Sequence, residues 1–385
     1  RAGEARLGFY DDRGDNDIDA RGYTLVDTKS WEEPEVTDFV ATLAGQGYRD
    51  WGSTTSWSPM WKFGGASGLV LGIGPTYTRY GYRRDPYWWT VGMTAMYSFR
   101  HNALGGQLDF DYRLPNSPLH FEMLGRFTRF EGFRFFGVGN DSPLQTNDDR
   151  SLVRTTQGGA RVMAALDLGD VDLAIGPSLV WTELDPGEGN PLDVPGLEDD
   201  FGMFGARFQA TVDRAPGFEE RSGWAFDAAA EAYPTGWGVE DDFQTAEAVL
   251  RGYLDVPVFG RHPQLALRVG GRQAWGGFPI FEGAFIGGME TVRAYRYNRF
   301  VGDQAAWGNA ELRLPLFELT LISRGRVGAI GLADAGRVWV DGESEGDWHT
   351  ATGGGVFYET FGRAVSVLYA QGEEDRWYLQ IGMPF

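Results

Sequence analysis

The sequence predicts an all-β fold, a 16-stranded antiparallel transmembrane β-barrel with one long external loop folded back inside it. Three observations predict it. Segments with period-2 alternation follow one another along most of the chain, each with one apolar and one charged face. The links after even-numbered segments are short, and those after odd-numbered ones include the long ones, as in barrels that cross a membrane. Aromatic residues gather at the ends of the segments, where a bilayer has its interfaces.

Sixteen segments carry the pattern: 57–64, 68–79, 88–99, 103–114, 118–130, 151–168, 171–182, 201–213, 223–233, 243–256, 263–274, 303–316, 324–339, 348–358, 363–371 and 375–385. In the fourth, Leu104, Gly106, Leu108, Phe110 and Tyr112 oppose Gln107, Asp109, Asp111 and Arg113. In the eighth, Phe204, Ala206, Phe208, Ala210 and Val212 oppose Arg207, Gln209, Thr211 and Asp213. An even count returns the last strand beside the first, with both termini at one end. A soluble β-sandwich repeats the same pattern strand by strand, but its apolar faces meet in a core and its charged faces meet water. Recurrence over so many strands, with aromatic ends and no cysteine, favours the membrane.

The links 115–117, 169–170 and 359–362 are short, with 214–222 and 317–323 somewhat longer, whereas 131–150, 183–200 and 275–302 are long. Tyr80, Tyr82, Tyr87, Trp88 and Trp89 surround one turn. The final segment alternates Trp377, Leu379, Ile381, Met383 and Phe385 with Arg376, Tyr378, Gln380 and Gly382, and resembles the C-terminal signal by which outer-membrane barrels are recognised for insertion. Residues 1–55 differ from the rest. They hold twelve acidic residues and little apolar periodicity beyond one short helix pattern over 35–46, and read as a loosely docked periplasmic extension preceding a barrel domain of 56–385.

Composition removes other classes. The net charge of −20 argues against nucleic acid, whose phosphates need a basic surface. The absence of cysteine removes disulfides and thiolate metal sites. The chain has four histidines (His101, His120, His262 and His349), and none forms an HExxH pair or a spaced ligand cluster. With no nucleophile elbow or phosphate loop either, no catalytic residue, metal site or cofactor is expected. The acidic stretches 183–200 and Asp141 to Asp149 read as solvated surface, with Ca²⁺ capture through clustered oxygens as the alternative.

The stretch 287–316 is the most distinctive. Gly287-Gly288 is followed by Val292-Arg293-Ala294-Tyr295 and then by a strand in which Trp307, Asn309, Glu311 and Arg313 oppose Ala306, Gly308, Ala310, Leu312, Leu314 and Leu316. Further on, Gly331-Leu332-Ala333-Asp334-Ala335-Gly336 forms an aspartate–glycine motif, and Phe135-Phe136-Gly137-Val138-Gly139-Asn140 forms a glycine-rich one. Together these resemble the BamA/TamA superfamily, which includes two-partner secretion transporters and bacterial surface antigens. Members carry a glycine pair and a Val-Arg-Gly-Tyr/Phe motif in the sixth external loop. Ala294 stands where the family has glycine, as a backbone without positive φ permits. The resemblance spans roughly 57–385.

The resemblance implies an outer-membrane barrel with its N-terminus in the periplasm. It takes part in outer-membrane protein assembly or insertion, or in protein or lipid translocation, through a loop-plugged lumen and a seam between first and last strands. Its partners would be outer-membrane lipid or lipopolysaccharide and other outer-membrane or periplasmic proteins. Residues 1–55 do not supply a POTRA module, so the chain reads as a barrel-only type or a barrel cut from a longer protein. A lumen of sixteen strands admits a loop, and Arg293 on that loop needs an acceptor. Asp334 and Glu311 are the candidates for a bidentate pair. A passive channel and a structural barrel that docks a partner protein are the alternatives.

Overall fold

The computed structural model describes residues 7–10, 24–27, 49–64, 67–143, 151–186, 190, 200–215, 222–257, 262–320, 324–360 and 363–381. Two short strands, β1 (Leu7–Tyr10) and β2 (Thr24–Asp27), pair in parallel ahead of the main sheet. The main sheet begins with β3 (Ser53–Gly64), β4 (Gly68–Arg79), β5 (Trp89–Ser98), β6 (Ala103–Arg113), β7 (Leu119–Arg134) and β8 (Leu152–Asp167). It continues through β9 (Val171–Pro186), β10 (Asp200–Arg214), β11 (Gly223–Tyr233), β12 (Phe243–Asp255) and β13 (Gln264–Gly276). The following loop contains a 3-10 turn (Ile280–Glu282) and its own hairpin, β14 (Ala284–Ile286) with β15 (Phe300–Gly302). The sheet then resumes with β16 (Gln304–Thr320), β17 (Arg324–Trp339), β18 (His349–Thr360), β19 (Arg363–Gln371) and β20 (Asp375–Ile381).

Each of the sixteen alternating segments is a strand, and they form one antiparallel sheet in sequence order, with β13 paired to β16 across the loop. In β7 and β16, which run past the sequence pattern, a bulge absorbs an extra residue and restores the ladder. In β7 the register against β8 shifts between Thr128 and Glu131, and in β16 it shifts against β17 between Pro315 and Phe317. Among the described residues the ladder runs from β3 to β20, and no pairing joins those two strands.

The faces decide between barrel and sandwich. In β16, Trp307, Asn309, Glu311 and Arg313 are buried while Leu312 and Leu316 lie open. Ile175, Phe204, Leu250 and Val269 are likewise exposed, at 60, 55, 50 and 63%. The apolar face points outward and the charged face points inward, the reverse of a water-soluble sandwich and the arrangement a hydrocarbon surround demands. The sheet is the wall of a barrel, and its core is the packing of the in-folded loop against that wall. Buried Ile286, Val292, Ala294, Tyr295 and Phe300 of the loop meet Trp307, Val338, Ala351 and Ala370 of the strands.

The two ends differ. Turns such as 168–170 close one end, and the longer loops, including 277–303, lie at the other. Guanidinium and aromatic groups stack at the short-turn end, with Arg84 over Trp88 at 4.7 Å and Arg113 over Tyr87 at 5.4 Å. Tyr10 of β1 meets Tyr82 there edge-on at 4.9 Å, and Arg83 sits 5.3 Å from the Tyr10 ring. The helix pattern over 35–46, most of the acidic stretches 144–150 and 187–199, and Met383 and Phe385 lie outside the described residues.

Candidate functional site: the lock on the in-folded loop

Arg293 is completely buried, as is Glu311 of β16, and the Asp334 side chain of β17 is equally sealed. The Arg293 guanidinium donates from Nε to Asp334 Oδ2 at 2.8 Å and from Nη2 to Asp334 Oδ1 at 2.5 Å, the side-on fork a planar guanidinium makes with a carboxylate. Its backbone N–H also donates to Asp334 Oδ2 at 3.0 Å, so the carboxylate holds main chain and side chain together. The remaining Nη1 donates to Glu311. Arg313 donates to the other Glu311 oxygen from Nε at 3.0 Å and Nη2 at 2.8 Å. Two guanidinium groups thus balance two carboxylates, which offsets the cost of burying each charge.

A shell of polar groups continues the network. Asn309 Nδ2 donates to Asp334 Oδ1 at 2.8 Å and to the Thr291 carbonyl at 2.5 Å, and its Oδ1 accepts from Arg268 Nε at 2.9 Å. The Tyr378 hydroxyl of β20 donates to the Arg293 carbonyl at 2.6 Å. A Cβ added at Gly336 would lie 2.6 Å from a Val292 methyl, so the glycine two residues after Asp334 is what lets the loop approach β17 closely enough for the fork to form. The loop's left-handed residues are Gly287 (φ 115°), Gly288 (φ 94°) and Asn298 (φ 56°); Ala294 is not among them, and it packs in the buried cluster with Tyr295.

The long-loop end adds a clasp. The glycine-rich segment before β8 reaches the loop, where the Gly139 N–H donates to the Val301 carbonyl at 2.8 Å. Asn140 Nδ2 donates to the carbonyls of Glu345 and Asp347 at 3.0 and 2.9 Å. His349 Nε2 donates to the Asn140 carbonyl at 2.8 Å, and its ring stacks on Phe300 with centroids 3.7 Å apart. Arg299 is held by Ser142 and lies 4.3 Å from the Phe300 ring centre.

Beside the lock, a cavity of about 410 Å³ remains between the loop and the wall, bordered by Glu247, Arg268, Arg272, Glu282, Glu290 and Tyr297. Arg272 Nη2 donates to Glu282 Oε2 at 3.0 Å and Nη1 to Glu247 Oε2 at 3.2 Å. Burial pushes the Glu282 carboxyl up from 4.5 to about 7, against the lowering effect of Arg272. A carboxyl raised in the folded state favours the docked loop when protonated, so that stabilisation is full below about pH 4.5 and is lost as pH rises through about 7. Limited proteolysis of the loop is therefore expected to be slower at low pH than at mildly alkaline pH, and Glu282→Gln is expected to flatten the profile. A wild-type profile already flat across that range would contradict it.

The residues of the loop motif, with Asp334 and Glu311, all have a defined place, whereas the C-terminal set is only partly described. Trp377 and Leu379 face outward and are 72 and 78% exposed, whereas only the backbone of Ile381 is described. Sequence reasoning missed Asn309, Arg268, Tyr378 and Arg299, and also Glu374, whose carboxylate accepts from Arg296 Nη1 at 2.7 Å. Asn309 and Tyr378 were legible as polar residues on lumen-facing positions of alternating strands. Among the described residues no group of acids and histidines is placed to hold a metal ion.

No protein-family model matches the chain, and no curated protein matches it by sequence. Solved structures do match. BamA from Haemophilus ducreyi lacking POTRA domains 1–3 superposes with a TM-score of 0.63 at 11% identity, over 94% of this chain and 72% of that one. The fold is that of a BamA-type barrel. CdiB from Acinetobacter baumannii superposes with a TM-score of 0.51 at 13% identity, over 86% of this chain and 58% of that one. At these identities the likeness is one of fold.

Proposed function

We propose that this chain is an outer-membrane barrel of the BamA type that takes part in inserting other outer-membrane proteins, or in moving protein or lipid across that membrane. The short turns and the N-terminal segment would face the periplasm, and the loop 277–303 would enter the barrel from the external side. What supports the reading is the buried, ion-paired loop together with the two strands that end the ladder among the described residues. Arg293 ties the loop to the wall through Asp334 and Glu311, while among the described residues no pairing joins β3 to β20, the two strands that end the ladder. A free strand edge pairs readily with another strand, and β3 carries Pro59, which cannot donate to a ladder. Partners of this reading are bilayer lipid or lipopolysaccharide and unfolded outer-membrane or periplasmic proteins.

The test uses the cysteine-free background. One cysteine in β3 and one in β20 are introduced, and the barrel is reconstituted in vesicles. The reading expects it to accelerate the folding of a urea-unfolded outer-membrane barrel, to stop on oxidation and to recover on reduction. Acceleration unaffected by the crosslink would count against the seam. The cavity beside the loop favours a second reading, a passive channel. Ion conductance that persists in Arg293→Ala, without any effect on the folding of other barrels, would select it.

A further inference from the structure

The two seam strands are held very differently. In β20 the exposure alternates, because Arg376, Tyr378 and Gln380 turn toward the covered interior while Asp375, Trp377 and Leu379 lie open. Side-chain contacts tie this strand and its turn to the loop. Tyr378 donates to the Arg293 carbonyl at 2.6 Å. Glu374, in the turn just before β20, accepts from Arg296 Nη1 at 2.7 Å and pairs with Arg299 Nε at 3.5 Å, both on the loop. Arg376 donates to the same carboxylate at 3.1 Å. At Gly372 in that turn, an added Cβ would sit 2.7 Å from the Ala294 Cβ, so turn and loop motif are packed together.

Among the described residues, no comparable contact ties the first strand to the loop. From Thr55 to Lys62 every residue of β3 is exposed on both faces. Its ladder partner is β4, and Lys62 reaches Glu131 of β7 at 3.7 Å, with the lysine side chain 52% exposed. An open ion pair of that kind contributes little.

We infer that Glu374 and Tyr378 are positioning residues that fix β20 to the in-folded loop, so that any opening of the seam is a movement of β3 away from a stationary β20. The inference rests on the seam reading above and adds which side moves and what anchors the other. Loop and last strand then form one rigid unit, carried by the Arg293 lock.

Pairs of spin labels in vesicles test this, using Glu290→Cys with Trp377→Cys to report loop against β20, and Ser58→Cys with Trp377→Cys to report β3 against β20. The expected result is a single narrow distance for the first pair and a broad or two-component distribution for the second. Glu374→Ala, and more mildly Tyr378→Phe, are expected to abolish the narrow component of the first pair. A broad first pair in the otherwise unaltered protein overturns the inference while leaving the seam reading intact. Narrow distributions for both pairs overturn the two together. A first pair that stays narrow in both variants denies Glu374 and Tyr378 their positioning role.

Discussion

Arg293→Ala is expected to cost the folded barrel about 3–5 kcal/mol, the penalty for leaving buried charge without its partner. The substitution strands Asp334 and Glu311, whose side chains are sealed from solvent, and leaves the Arg313 guanidinium to balance two carboxylates. The measurement is equilibrium urea unfolding of the reconstituted barrel, together with protease sensitivity of 277–303. The unfolding midpoint should fall and the loop should become cleavable at denaturant concentrations where the wild type resists. Arg293→Lys should fall between the two. An ammonium keeps the charge but loses the side-on fork to Asp334 and the simultaneous reach to Glu311.

Asp334→Ala is expected to be nearly as damaging, for a different reason. This carboxylate accepts from the Arg293 backbone N–H, from two Arg293 side-chain nitrogens and from Asn309 Nδ2. Removing it orphans buried donors on both the loop and β16, at roughly 1–3 kcal/mol for each group left unsatisfied. Asp334→Asn keeps the volume and one acceptor, so its loss should be distinctly smaller in the same unfolding experiment. Equal losses for Ala and Asn would mean that net charge alone, and not the set of donors, sets the cost.

Much of this arrangement is written in local sequence. A strand between lipid and a polar lumen must alternate, and alternation survives without knowledge of any partner strand; β10 and β16 are legible for that reason. The same rule marks Glu311 as inward, and an arginine in a loop that enters the barrel needs a carboxylate there. Strand ends were less legible. Pro315 ends the regular pattern of β16, yet a bulge carries the pairing on to Thr320. The parallel pair β1 and β2 is only four residues per strand, too short to show a period.

The contacts that depend on register were not legible at all. Arg268 meets Asn309 because β13 and β16 pair with those two residues opposite, and the intervening loop hides that register from the sequence. Glu374 sits 78 residues from Arg296, and nothing local to either residue predicts their meeting. The glycine-rich segment ending in Asn140 stood out as a motif, but its role against Val301 and His349 exists only once the two loops cross.

The pairing of Arg293 with Asp334 is what holds the loop against the barrel wall. A double-mutant cycle tests it most directly, with unfolding free energies measured for the wild type, Arg293→Ala, Asp334→Ala and the double variant. Residues in one buried network couple by about 0.5–3 kcal/mol, and a fork sealed from solvent belongs at the upper end. The double variant is expected to lose about 3 kcal/mol less than the sum of the two single losses, because the first substitution has already broken the lock. Losses that simply add would contradict it.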